Sequence, residues 1–192
     1  MTQFFSRRRL IQSLVMAGIW PNSSQGHDNT SKVVLVRKNE GERLKIGGAI
    51  LDVKLTKNQT AGHLALAESS IAVGTLGAPP HLHRTFDEIC YVLEGTVHVW
   101  VEGEVVALSA GDTHLRPKGK MHTFWNEGPT PAKCLEISAP GGHEDYLREM
   151  SQLLAKGTRP KPEDFAALEQ KHDIVYFWDK LPEIIQKYKV HL

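Results

Sequence analysis

Four residues carry the chemistry most visible in this chain: His81, His83, Glu88 and His122. In His81-Leu82-His83 the histidines stand at i and i+2, and on an extended strand such side chains leave the same face, so both imidazoles reach one ion. Glu88 follows five residues after His83, far enough for a short loop over Arg84 to Asp87 to return its carboxylate toward that ion. His122 belongs to a separate segment after Pro117-Lys118-Gly119, where a turn can swing the chain back beside the first. Three imidazoles and one carboxylate suit one divalent transition metal, Fe, Mn, Ni, Cu or Zn, with open positions, better than a closed structural site. Read instead as four unrelated sheet residues, the same groups would be buried without partners at about 1–3 kcal/mol each. Glu88 is also the candidate catalytic residue, as ligand and proton acceptor.

The alternation of a strand extends the site. If Glu88 faces the interior, Cys90 and Val92 face it too, and if His122 does, so do Phe124 and Asn126. Phe86, Cys90, Phe124 and Asn126 are therefore the candidate substrate pocket, a mostly apolar cavity. His98 and His114 are read as sheet residues in preference to proton shuttles, and His63, His143, His172 and His191 as surface residues. Arg84, Arg116, Lys118 and Lys120 are read as a solvated rim, the alternative being a funnel for an anionic substrate. Trp100, Trp125 and Tyr91 are assigned to packing.

From Lys32 to about Pro140 the chain reads as short β-strands separated by Gly, Pro and Asn turns such as Glu94-Gly95, Glu102-Gly103 and Ala110-Gly111. Strands are expected over 33–36, 49–55, 61–72, 89–93, 97–101, 105–108, 114–116, 122–126 and 133–138. So many short strands predict an all-β domain, an antiparallel jelly-roll barrel over residues 32–140. Beyond it, residues 141–192 form a mostly helical C-terminal extension. Tyr146, Leu147, Met150, Leu153 and Leu154 fall on one face of a helix over 144–155. Pro162-Glu163-Asp164 opens a second helix reaching about Lys171. An extended segment over 174–178 and a third helix over 181–189 complete the chain.

The spacing also resembles that of a family. Pro80-His81-x-His83, four residues, Glu88, six residues and Gly95 is similar to the first motif of the cupins. Gly111, five residues, Pro117-x-Gly119, two residues, His122, three residues and Asn126 is similar to the second, and fifteen residues separate Gly95 from Gly111. Where the first motif begins on glycine, this chain has Thr75, between Gly74 and Gly77. The resemblance covers roughly residues 40–140, and the extension resembles that of single-domain, quercetinase-like type-2 cupins. It implies a double-stranded β-barrel with three histidines and one glutamate on an interior metal. The implied activity is that of an oxidoreductase, dioxygenase-like, on a small enol, phenol or diketone. The alternatives it leaves open are a cupin isomerase and a non-catalytic metal-binding or small-molecule-binding protein.

Composition bounds the rest. The 192 residues, 41% hydrophobic, suffice for one core of ordinary size. A formal charge of +1, falling to about −2 without residues 1–26, gives no basic surface for nucleic acid. Cys90 and Cys134 stand far apart and are read as buried thiols, neither a disulfide framework nor a Cys-based metal site. Residues 1–26 have the layout of a signal peptide: Ser6-Arg7-Arg8-Arg9-Leu10-Ile11, an apolar stretch to Trp20, then a polar run. The paired arginines are similar to a twin-arginine leader, implying a periplasmic or secreted protein; the alternative is a basic extension of a cytoplasmic one. The apolar stretch is too short to span a bilayer, so no integral membrane segment is expected in the mature chain. The expected partner is a small-molecule substrate, with a homodimer left open.

Overall fold

The computed structural model describes residues 32–158 and 160–192, so the leader reading lies outside the described residues. Twelve strands and three helices follow in order: β1 (Glu42–Ile46), β2 (Ala49–Leu55), β3 (Ala65–Ile71), β4 (Thr75–Leu76), β5 (His81–Leu82), β6 (Asp87–Glu94), β7 (Thr96–Val101), β8 (Glu104–Ser109), β9 (Thr113–Arg116), β10 (His122–Asn126), β11 (Ala132–Ala139), α1 (His143–Leu154), α2 (Pro162–Lys171), β12 (Val175–Tyr176) and α3 (Leu181–Tyr188). One antiparallel sheet runs β1-β2-β3-β11-β6-β9; the other runs β12-β5-β10-β7-β8, with β4 also paired to β10. Mostly antiparallel strands in two facing sheets, followed by helices, make the jelly roll that the turn spacing predicts.

Period-two burial decides which side chains enter the barrel. In β3, Ala65, Ala67, Ser69 and Ile71 point inward, and in β6 Glu88, Cys90 and Val92 do. Ile71, Cys90, Val92, Val97, Val99 and Phe124 meet in one apolar cluster between the sheets. β10 is buried on both faces. His122, Phe124 and Asn126 face the interior, while Trp125 on the outer side is covered by Ile184 and Val190 from the C-terminal extension. Covering side chains of that size stabilises by about 1.5–3 kcal/mol each, which holds α3 to the barrel. Helix α1 buries Tyr146 and Met150 with Leu147, Leu153 and Leu154 against Ile46, Leu168, Ile174 and Tyr176.

Two of the expected strands differ in the structure. Residues 33–36 form no strand; Val33 is fully exposed and the segment runs as irregular chain. Val33, Val34 and Leu35 are all exposed, so the run is covered by neither sheet and gains no burial. The first strand is Glu42–Ile46, whose Leu44 alternates with outward Arg43 and Lys45 and pairs with Leu51. Residues 61–64 are turn, not strand, with Ala61 at a positive φ of 54°. At Thr75 the turn is made one residue earlier, by Gly74 at φ 73°. No helix among the described residues is long and apolar enough to cross a membrane.

Candidate metal centre

Both sheets contribute to the site. β5 lies between β12 and β10, and the registers place Tyr176 and His122 on either side of His81. His83 follows β5 in a loop, and Glu88 enters from β6 of the opposite sheet, where Arg116 and Ser138 are its cross-strand partners. His81, His83, Glu88 and His122 are all buried, and one ligand atom from each lies within 4.8 Å of the others. The four residues that the spacing singled out thus form one group that can hold a metal ion.

Each imidazole is oriented by a backbone carbonyl. Nδ1 of His81 lies 2.7 Å from the Pro79 oxygen, Nδ1 of His83 2.9 Å from that of Asp173, and Nδ1 of His122 2.9 Å from that of Lys120. A carbonyl only accepts, so the proton sits on Nδ1 and Nε2 keeps its lone pair, the tautomer a metal requires. Nε2 of His83 is buried without any partner. Nε2 of His122 lies 3.1 Å from Glu88 Oε2, and both atoms present lone pairs. That approach is favourable only with a cation or a proton between them. The donor set therefore fits a divalent ion.

Electrostatics hold the set in its ligating state. Burial pushes the His81 pKa well down, and neighbouring His122 and His83 push the same way. His83 is lowered mainly by burial against the pull of Glu88. For Glu88 burial acts to raise the pKa, but the Arg116 guanidinium, then His122 and His83, outweigh it and hold the carboxyl well below its usual range. For His81 and His83 these shifts favour the neutral imidazole, and for Glu88 the ionised carboxylate.

Three residues that the sequence reading did not place here belong beside this site. Arg116, read as rim, is 1% exposed inside the barrel, with Nε 3.7 Å from Glu88, a hydrogen bond from Nη2 to Glu136, and its guanidinium over the Phe124 ring. His143, read as surface, is partly buried with its ring centroid 4.8 Å from that of His83 and 5.2 Å from that of Tyr146. Burial pushes its pKa down to about 3. Asp173 was not singled out at all. Its carbonyl orients His83, and its carboxylate accepts from the backbone of Arg84 and Thr85 and from the Thr85 hydroxyl. The signal for Arg116 was its place opposite Glu88 in the β6–β9 pairing, which is a register and not a motif.

The pocket candidates divide. Phe124 lines a cavity of about 410 Å³ that also reaches His81, Glu88, His143 and Tyr146. Gly77 lies so close to its ring that any Cβ there would collide with it. Phe86 stacks on His83, with centroids 4.1 Å apart. Cys90 lies in the apolar cluster. Asn126 spends its side chain on structure: Nδ2 donates to the Ile71 and Thr130 carbonyls and Oδ1 accepts from Gly128 N–H.

Fold and site together define a jelly-roll barrel with a His3Glu group inside it. Residues 67–138 match the family described as "Cupin domain", so this part of the chain is similar to the type-2 cupins. The chain is 24% identical over 116 residues to quercetin 2,3-dioxygenase of Bacillus subtilis, covering 60% of this chain and 34% of that protein. The match thus spans about a third of that relative's length. Among solved structures, an RmlC-like cupin from Shewanella frigidimarina superposes with a TM-score of 0.50 at 25% identity, over 60% of this chain and 96% of that one. KdgF from Halomonas sp. gives a TM-score of 0.51 at 23% identity, over 58% and 99%, a likeness of fold.

Proposed function

We propose that His81, His83, Glu88 and His122 hold one divalent transition metal and that the protein is an oxidoreductase, dioxygenase-like, acting on a small enol, phenol or diketone. The observation that carries it is the convergence of three Nε2 lone pairs, each fixed by an Nδ1–carbonyl hydrogen bond, on an ionised Glu88. Similarity over part of quercetin 2,3-dioxygenase supports the reaction class.

When bound, such an ion supplies Lewis acidity and, for iron, manganese, nickel or copper, a redox centre. The chain's own residues do the rest. The Glu88 carboxylate accepts the proton of an enol or phenol hydroxyl as the substrate oxygen binds. Arg116 keeps that carboxylate ionised until then, and the apolar wall at Phe124 excludes water from the reacting end.

Oxygen consumption by metal-loaded protein, offered a panel of flavonols, diketones and catechols, tests the reading. Consumption with one substrate class, lost in Glu88→Ala, is the expected result. Stoichiometric metal without consumption on any of the panel overturns the dioxygenase reading and leaves a binding protein or isomerase. We also propose export through Ser6 to Ile11: changing Arg7 and Arg8 to Lys should retain the protein in the cytoplasm, and unchanged fractionation refutes it.

A further inference from the structure

The cavity that opens on the ligand group is walled in large part by residues beyond the cupin match at 67–138. Met150 and Leu154 come from α1, Phe165 from α2, Trp178 from the segment after β12 and Leu181 from α3. The barrel side supplies Leu51, Leu76 and Phe124. The polar side chains that line it are His81 and Glu88 of the ligand group, Glu136 and His143 beside them, and Ser69 on β3. Two more polar atoms, the Tyr146 and Tyr176 hydroxyls, bond each other. Two hydroxyls carry two protons and the mutual bond uses one, so one donor remains for a ligand atom. Among the described residues no Lys or Arg lines the cavity, whereas two carboxylates do.

From this we infer, building on the metal-site reading above, that the C-terminal extension makes the barrel selective for a largely apolar molecule whose oxygen atoms lie at one end. A sugar or uronate would bury hydroxyls with no partners along the wall, at about 1–3 kcal/mol each. In the metal-free protein an anion would face Glu88 and Glu136, whose neighbouring cation Arg116 is already paired with both. A fused aromatic or alkyl-bearing phenol places its oxygen at the ligand group and its body against Met150, Leu154, Phe165 and Trp178. The volume, about 410 Å³, lies toward the small end of the usual range for small-molecule sites, which holds such a body and not an extended polymer.

Calorimetric titration of the full chain after removal of metal by chelation tests this, with 2-naphthol, phenol and D-galacturonate as probes. Naphthol should bind at least about tenfold more tightly than phenol, since a second buried ring is worth that much by apolar area. Galacturonate should give no heat of binding. Leu154→Arg should weaken naphthol about tenfold or more by putting a charge in the wall, and Trp178→Ala, at a partly exposed position that tolerates truncation, should weaken it about threefold. Galacturonate binding as tightly as naphthol, or naphthol binding unchanged in both folded variants, overturns the inference. Because the titration contains no metal, normal metal content with no naphthol preference removes the apolar chamber alone. Naphthol preference in a protein that never takes up metal removes the metal centre alone.

Discussion

Two buried groups in this barrel bring metal-ligating atoms within 4.8 Å of one another: His81, His83, Glu88 and His122, and beside them Cys90, Cys134 and Glu136. They differ in what their lone pairs do. In the first, every Nδ1 is spent on a carbonyl and the Nε2 atoms converge without a donor. In the second, Cys134 Sγ donates to Glu136 Oε1 at 3.3 Å, and Arg116 donates to Oε2 of the same carboxylate. The bond to Cys90, then burial, pushes the Cys134 thiol well above its usual pKa, so it stays protonated and binds metal poorly. Burial also raises Glu136, to about 7, against the pull of Arg116, and the neighbouring Glu88 carboxylate pushes the same way as burial. Proximity of ligand types does not make a metal site. A candidate site also needs unprotonated ligand atoms that no donor occupies.

The largest expected effect follows directly. A His83→Ala, Glu88→Ala double variant should fall from about one equivalent of metal to essentially none, with its far-ultraviolet dichroism unchanged, because the apolar cluster does not include these side chains. Cys90→Ala with Cys134→Ala should keep the full equivalent. Elemental analysis of the two proteins in parallel breaks the comparison if the cysteine variant is the one that loses metal.

Next in size is Arg116→Met. It leaves Glu88 and Glu136 buried without their cation and should destabilise by about 3–5 kcal/mol in urea unfolding. A loss below about 1 kcal/mol would mean that the guanidinium is not the counter-charge of both carboxylates.

The smallest effect is on the slope of stability with pH in metal-free protein. His81, His83 and His143 have folded pKa values below that of an unfolded histidine, so the unfolded chain binds more protons and stability falls as pH drops below about 6.5. For His143 the loss continues to about pH 3. Each contributes a slope of at most about 1.4 kcal/mol per pH unit. Glu136, with a folded pKa raised to about 7, has the opposite sign: its contribution is present at low pH and lost as pH rises from about 4.5 through 7. Glu136→Gln should therefore steepen the loss on acidification between about pH 7 and 4.5, as followed by thermal melts across that range. An unchanged slope would place Glu136 with the ordinary ionised carboxylates.

How much was legible in the chain alone varies by element. Strands 49–55 and 122–126 agree with the expected residues to both ends, because alternation and flanking turns mark them locally. The helices over 143–154, 162–171 and 181–188 also lie where period and proline placed them. β4 and β5 were missed as strands, being two residues each and ordered only by pairing with β10. The candidate ligand group was legible because extended chain alternates its side chains, which His81 and His83 do although β5 ends at Leu82, and because glycine turns lie between Glu88 and His122.

What the sequence by itself determined, then, is the set of candidate ligating residues, the antiparallel barrel and the helical character of the extension, all written in spacings of a few residues. Only the tertiary structure decided which face each polar residue takes. In β9 the apolar Leu115 is 52% exposed and the charged Arg116 is buried, the reverse of what the pattern of one strand suggests. The reason is across the sheet: Glu88 lies opposite Arg116, and a buried carboxylate requires a cation more than a leucine requires cover. The same holds for His143 and Asp173, which reach His83 only because the extension folds back over the barrel. Contacts between residues sixty to ninety positions apart leave no mark in local periodicity. They exist because an open barrel end would otherwise leave its apolar wall and its imidazoles in water.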